Sequence, residues 1–147
     1  MASIHVDLEK LEWRSGSAKY GPVALHDGKE IIQSAILSDR RLEGGGLALL
    51  SRVSPPPGKV VKIVSVARSD EHVFNLQGGR GTKSGQPDRI ASGYTLNTEG
   101  QVHSALIATE TLSLVIYRGD RTRIYPSQSW MRPRLWSRSE PHFCCGV

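Results

Sequence analysis

The fold is decided by two stretches of the chain, residues 58–78 (GKVVKIVSVARSDEHVFNLQG) and residues 93–103 (GYTLNTEGQVH). In the first stretch, β-branched runs are bounded by a glycine at each end, which is typical of strands that begin and end at turns. In the second, Gly93, Gly100 and His103 follow one another at fixed spacing. Outside both stretches, short apolar runs alternate with segments rich in Gly, Pro, Asp and Ser, and no segment sustains a helical period. The sequence therefore predicts an all-β domain, built as a sandwich or barrel.

The apolar runs give the expected positions of the strands. They are residues 30–37, 46–53, 59–67, 72–77, 89–97 and 106–117, the last of which could be two strands. A short helical turn is expected at 8–13. The Pro55-Pro56-Pro57 run cannot belong to a strand ladder, because three consecutive residues lack an N–H donor.

Composition and charge narrow the class of protein. The 147 residues suit one domain with a single core, and the 38% hydrophobic content is that of a globular chain. The formal charge of +5 is scattered, which argues against a nucleic-acid surface. No apolar run is long enough to span a membrane, and the N-terminus lacks a secretory pattern. The two cysteines, Cys144 and Cys145, are adjacent, so we expect a cytoplasmic protein without disulfides.

The chain divides into three parts by composition. We expect an N-terminal arm over residues 1–19, a β-barrel over 20–125, and an irregular, basic and aromatic tail over 126–147. The tail contains Trp130 and Trp136 among several arginines. It could wrap the barrel, cap its mouth or join a partner subunit, and stacking on nucleic acid is the weaker alternative.

The order of these pieces resembles the cupin superfamily, and most closely its small single-domain members related to the ChrR anti-sigma sensor domain. In the first cupin motif, Gly58 and Gly78 frame Glu71 at the expected spacings. In the second, Gly93, Gly100 and His103 follow, one residue short, with Thr98 at the proline position. The resemblance covers about residues 20–125. It implies a jelly-roll barrel (a double-stranded β-helix) and a homodimer paired through an edge strand. Independently of the family, Gly78 and Gly93 are expected at tight turns where φ is positive.

The resemblance also identifies where a metal would be held. The positions that match the two histidines of the first motif carry Val64 and Val66, and a frame shifted by one carries Ser65 and Ala67. Only Glu71 and His103 remain of the family's ligands, fewer than the three that a catalytic centre needs. We therefore expect no metal. The alternative is a Fe, Mn, Ni or Zn site formed by Glu71, His72 and His103, although alternation along a strand should point His72 away from Glu71.

Val64 and Val66 are expected to line the interior of the barrel and make it apolar, and this environment suggests acid–base chemistry. Burial there should raise the pKa of Glu71, and His103 would form a charge-coupled catalytic pair with it. The expected substrate-binding residues are Val64, Val66, Asn75, Tyr94, Gln101 and Tyr117.

The function expected from these residues is a metal-independent enzyme acting on a small, partly apolar organic molecule. The resemblance permits a cyclase, isomerase, dehydratase or decarboxylase. A metal-dependent dioxygenase or lyase is one alternative. A ligand-binding, sensory or structural module in which Glu71 and His103 only tie two strands together is the other.

Overall fold

The computed structural model describes residues 4–17, 19–78, 80–81, 93–121 and 123–124. Two short 3-10 helices lie at Leu8–Lys10 and Arg41–Glu43. The strands are β1 (Leu25–His26), β2 (Lys29–Glu30), β3 (Ile32–Asp39), β4 (Leu47–Val53), β5 (Val61–Val66), β6 (Glu71–Gln77), β7 (Arg80–Gly81), β8 (Tyr94–Asn97), β9 (Val102–Ile107), β10 (Thr111–Tyr117) and β11 (Arg123–Ile124).

Two antiparallel sheets form the body of the domain. The larger has the order β3-β4-β10-β6-β8 and the smaller β11-β5-β9-β7, while β1 and β2 form a separate hairpin. Neighbours in these sheets are mostly distant in sequence, as β10 between β4 and β6 illustrates. Within the described ranges the two sheets do not join into a closed ring of paired strands. The architecture is thus an all-β jelly roll, as predicted, with an open sandwich in place of a closed barrel.

Apolar side chains hold the sheets face to face. One cluster joins Ile32 and Val53 of the larger sheet to Val61 and Ile107 of the smaller. A second, lined by Leu47, Leu49, Val73, Val115 and Tyr117, covers the inner face of the larger sheet. Each buried aliphatic side chain contributes about 1.5–3 kcal/mol of transfer free energy, so these clusters are the main source of stability.

Most of the predicted strands are confirmed, with shifts of at most two residues at the ends of β3, β4, β5 and β6. Residues 106–117 belong to two strands, since β9 ends at Ile107 and β10 begins at Thr111. Strand β9 also begins earlier than predicted, so His103 lies inside it. The prolines at 55–57 lie outside any strand, as expected. The predicted strand residues 89–92 and the tail 126–147 fall outside the described residues.

The two glycines predicted to need a positive φ differ. Gly78 has φ +78°, and a Cβ there would lie 2.0 Å from the backbone oxygen of Glu110. Gly93 does not have a positive φ, and a Cβ there would meet nothing within 4 Å. The prediction is therefore confirmed for Gly78 and wrong for Gly93, which directly precedes β8.

The N-terminal arm extends the larger sheet. Arg14 exchanges both backbone hydrogen bonds with Ser34 of β3. The buried guanidinium of Arg121 donates to the Lys19 carbonyl and to the Ser34 hydroxyl, which fixes the arm to the sandwich. In the described part of the chain, no helix has the length and apolarity needed to cross a membrane.

Candidate active site

Glu71 lies at the centre of a polar row across the larger sheet. It is the first residue of β6 and is paired directly with Asn97 at the end of β8 and with Tyr117 at the end of β10. The Asn97 amide donates to Glu71 Oε2 over 2.9 Å, and the Tyr117 hydroxyl donates to Oε1 over 3.0 Å. All three residues are at most 6% exposed. Strand register alone therefore brings two donors to one buried carboxylate.

His103 reaches this row from the smaller sheet. Its Nε2 lies 3.1 Å from Glu71 Oε2. It is paired across the strands with Ser65 of β5, whose hydroxyl oxygen lies 2.9 Å from the same nitrogen. The predicted pair of Glu71 and His103 is thus confirmed as a contact between the two sheets.

The environment of Glu71 lowers the pKa of its carboxyl group. Burial raises the pKa, but hydrogen bonds from His103, Asn97 and Tyr117, together with the charge of His103, outweigh burial. The expectation of a raised pKa is wrong, because the sequence revealed the apolar surroundings and not the three donors. Glu71 is consequently a carboxylate near neutral pH.

The two nitrogens of His103 have different surroundings. Because an ionised carboxylate can only accept, Nε2 carries the proton that is donated to Glu71. Nδ1 lies 3.3 Å from the Gln101 backbone carbonyl, an oxygen that can only accept, so this contact is a hydrogen bond only when Nδ1 carries a proton. The Ser65 hydroxyl and Glu71 contact the same nitrogen, so the three residues do not form a nucleophilic relay, in which acid and serine occupy opposite nitrogens.

Solvent exposure differs among the members of the polar cluster, which consists of Glu71, His103, Ser65, Asn97 and Tyr117. The His103 side chain is 19% exposed, whereas that of Glu71 is 9% exposed. Ser65, Asn97 and Tyr117 are each 4% exposed. His103 is therefore the member of the cluster that a ligand can reach most readily.

Three of the predicted substrate-binding residues point away from this cluster. Since Ser65 faces His103, the neighbouring Val64 and Val66 lie on the opposite face of β5. Tyr94 is paired with Phe74 on the outer face of the larger sheet and is 51% exposed. Their predicted placement beside Glu71 is wrong. For Val64 and Val66 the reason is that the true frame of β5 is shifted by one residue, and for Tyr94 it is that β8 turns this side chain to the outer face.

The other predicted binding residues divide into one that joins the cluster and two that do not. Tyr117 is part of it. Asn75 shares the face of Glu71 but lies four residues, ~13 Å, along β6, where its amide donates to the Gly78 carbonyl over 2.6 Å. The Gln101 side chain is exposed and accepts from the backbone N–H of Thr98, so only its carbonyl meets His103.

Two members of the cluster were not predicted. The shifted frame of the first motif gives Ser65 only as a residue that cannot bind a metal, and no motif of the sequence points to Asn97. Asn97 could have been found by pairing the start of β6 with the end of β8. Ser65 could have been found from the rule that residues facing each other across an antiparallel pair share a face.

The described residues do not fit a metal centre. Within these ranges no group of three His, Cys, Asp or Glu side chains comes together. His72 lies on the outer face of β6, where its Nδ1 is 2.9 Å from the Tyr94 hydroxyl. The structure thus does not bring His72 together with Glu71 and His103, the alternative of a metal site stays a prediction, and we derive no chemical step through a metal.

Comparison with solved structures identifies the fold. An RmlC-like cupin from Shewanella frigidimarina superimposes with a TM-score of 0.57 at 11% identity, over 82% of this chain and 94% of that one. The polyketide cyclase RemF from Streptomyces resistomycificus gives 0.58 at 13% identity, over 89% and 91% of the two chains. KdgF from a Halomonas species gives 0.54 at 15% identity, over 82% and 96%. In sequence, the chain matches no family model and no curated protein.

The chain therefore has the cupin fold, as its motifs predicted. At these identities the likeness extends to the fold alone, so the expected kinship with the ChrR-related group stays a prediction.

Proposed function

We propose that this protein is a metal-independent enzyme that moves protons on a small, partly apolar organic substrate. The reaction would be of cyclase, isomerase, dehydratase or decarboxylase type. The observation that supports this is the contact between a buried carboxylate and the most exposed member of the cluster: Glu71 Oε2 and the Ser65 hydroxyl both contact Nε2 of His103, whose side chain is 19% exposed. An imidazole that is oriented by a carboxylate and is partly open to solvent is suited to general acid–base catalysis.

In the proposed step, the neutral form of His103 exchanges its Nδ1 contact with the Gln101 carbonyl for the substrate, and Nδ1 takes a proton from a carbon or oxygen of the substrate. The Glu71 carboxylate stabilises the imidazolium that forms, since its lowered pKa keeps it charged. Nδ1 then returns the proton to another atom of the same substrate. No oxidant, reductant or second substrate is required. RemF indicates by its name that this fold can host a cyclase.

A direct test follows hydrogen–deuterium exchange at the α-carbon of an aromatic ketone, 1-tetralone, in D2O by proton NMR. We expect the wild-type protein to accelerate exchange above the buffer rate. His103→Ala and Glu71→Gln should each lower the acceleration by ~10²–10⁴-fold, the usual contribution of a general acid or base. Elemental analysis of the active preparation should find less than stoichiometric metal.

His26→Ala provides the matched control, because His26 Nδ1 also faces a carboxylate, that of Asp27 at 3.3 Å, in the β1–β2 hairpin. That variant should exchange the ketone at the wild-type rate. Equal rates in wild type, His103→Ala and Glu71→Gln, with all three folded by circular dichroism, would remove the proposed mechanism.

One observation favours a second candidate, a ligand-binding module without chemistry. Both Glu71 oxygens already accept hydrogen bonds, so the cluster could serve only to join the sheets. In that case 1-tetralone or related ketones would raise the thermal midpoint of the protein while their α-protons exchanged at the buffer rate.

A further inference from the structure

The side chain of Arg121 is a buried cation that the proposed mechanism does not use. Arg121 follows β10 and is only 8% exposed, yet it forms no ion pair with an Asp or Glu of the described residues. The adjacent Asp120 pairs with Arg41 instead, as does Asp39. Because an arginine keeps its charge inside a protein and an unpaired buried charge is costly, this position favours an anion as the missing partner.

The guanidinium of Arg121 is only partly hydrogen-bonded. Its Nη1 donates to the Lys19 carbonyl over 2.8 Å, and its Nη2 donates to the Ser34 hydroxyl over 3.1 Å. An arginine has five N–H donors, so these two bonds leave three, one at each nitrogen, without a described acceptor. Gly21 lies so close to the guanidinium that a Cβ there would be 2.8 Å from Nη2, which holds the group against Ser34.

Two serine hydroxyls on the inner face of the larger sheet adjoin this guanidinium. Ser34 is completely buried, and its hydroxyl accepts from Arg121 but donates to no acceptor among the described residues. Ser51 is paired directly with Ser34 across β3 and β4, and within the described ranges its hydroxyl has no hydrogen-bond partner. Residues paired in this way share one face of a sheet and lie ~5 Å apart. The three side chains therefore present several unused donors to one region of the interior.

We propose that Arg121, Ser34 and Ser51 form a binding site for the carboxylate of a small organic acid. A guanidinium matches the two oxygens of a planar carboxylate, and a hydroxyl beside it can donate to the same group. One unpaired positive charge balances a monocarboxylate. A phosphate dianion would need a second cation, and the neighbouring Lys19 is already paired with Asp39.

The surroundings of the two serines define the rest of the ligand. Apolar side chains flank the serines along both strands, at Ile32, Ile36, Leu49 and Val53. A second polar group on the ligand would find no partner among these four side chains. Leu49 and Val53 are at most 5% exposed, so little room remains beside them. The ligand should therefore be small and apolar apart from its carboxylate, as butyrate and benzoate are.

The carboxylate site is separate from the candidate active site. Ser34 lies on β3, which is three strands from β6 and Glu71 in the order of the larger sheet. Adjacent strands are ~4.8 Å apart, so the two sites are held by different parts of the sheet. The proposal does not rest on the proposed function, because acid binding and proton transfer involve different side chains.

Isothermal titration calorimetry on the full chain at constant ionic strength would test the proposal. The probes are sodium benzoate, sodium butyrate, neutral benzamide and inorganic phosphate. Benzoate and butyrate should bind saturably at one site, whereas benzamide and phosphate should bind at least about tenfold more weakly, since each lacks a feature that the site recognises. Benzoate should also raise the thermal midpoint, because it binds only the folded state.

Two variants of the site and one control assign the binding to Arg121. Arg121→Met removes the charge and keeps an unbranched side chain, so benzoate binding should be lost. Ser34→Ala keeps the charge and should weaken binding about tenfold, the lower end of the effect of a hydrogen bond to a charged group. Arg118→Met is the matched control, because Arg118 also follows β10 but its side chain is 75% exposed, and this variant should bind benzoate as the wild type does. Circular dichroism checks folding, and Ser34→Ala decides the matter if Arg121→Met does not fold.

Four outcomes would overturn the proposal. The absence of benzoate and butyrate binding to the wild type would show that water alone serves the guanidinium. Equal binding of benzamide would show that the negative charge is not recognised. Tighter binding of phosphate would assign the site to another class of anion. Unchanged benzoate binding in folded Arg121→Met or Ser34→Ala would place the carboxylate elsewhere on the protein.

Discussion

Glu71 accepts hydrogen bonds from the Asn97 amide, the Tyr117 hydroxyl and the His103 imidazole. Its buried negative charge is thus stabilised without a lysine or an arginine. Hydrogen bonds to a charged group contribute about 1.5–3 kcal/mol each, more than those between neutral groups. This is why burial, which alone would raise the pKa of the carboxyl group, does not do so here. The electrostatic state of the site is therefore decided by three individual side chains.

Removing one of these donors should have a measurable cost. Tyr117→Phe deletes the hydroxyl that donates to Glu71 Oε1, so the pKa of Glu71 should rise and the free energy of unfolding should fall by about 1.5–3 kcal/mol. Urea denaturation measures the second effect. Tyr94→Phe deletes an exposed hydroxyl and should cost less than about 0.5 kcal/mol. Equal losses in the two variants would contradict the role of Tyr117.

Strand register is what assembles the site at the level of elements. Five strands contribute one side chain each, and the pairs Glu71 with Asn97 and Ser65 with His103 follow from two antiparallel registers. A shift of one residue in β5 would turn Ser65 outward and Val64 inward. The turns that begin and end these strands therefore fix the site as firmly as its own hydrogen bonds do.

The turn after β6 provides a test with an internal control. Gly78 and Gly100 have φ of +78° and +81°, but only at Gly78 would a Cβ collide, 2.0 Å from the Glu110 oxygen. Gly100→Ala should cost ~1 kcal/mol for the left-handed backbone, whereas Gly78→Ala should cost at least about 2 kcal/mol more because backbone must shift. Thermal and urea unfolding measure both. Similar losses would show that the close approach is unimportant.

At the scale of the whole molecule, three carboxylates of lowered pKa among the described residues shape the acid stability. One of them is Glu30, which accepts hydrogen bonds from Ser15 and Gln33. Glu71 is held below its ordinary value of 4.5, and Asp39, hydrogen-bonded to Arg41, has a pKa of about 2. A carboxyl group with a lower pKa in the folded state stabilises the fold above its unfolded pKa. That contribution is lost as the pH falls through the folded-state value.

The free energy of unfolding should consequently change little, through these groups, from pH 7 to about 4.5 and fall below that. In Glu71→Gln the fall between pH 4.5 and 2 should be shallower, leaving the contributions of Asp39 and Glu30. Urea denaturation at a series of pH values measures both curves. Parallel curves in wild type and Glu71→Gln would contradict the lowered pKa of Glu71.

The sequence by itself determined the all-β class, most strands, the need for glycine at position 78 and the pairing of Glu71 with His103. These follow from local patterns: β-branched runs, turn residues and motif spacing act over a few neighbouring positions. The direction that His72 faces was also correct, because alternation along a strand is a local rule.

Only the tertiary structure decided which face of β5 is inside, that Asn97 and Ser65 join the site, and that the pKa of Glu71 is lowered. Each depends on the register between strands 26 to 46 residues apart in sequence, such as those of Glu71 with Asn97 and with Tyr117. A one-residue change in frame turns every side chain of a strand to the opposite face of the sheet. The order of apolar residues in the run 60–66 does not by itself distinguish the two frames.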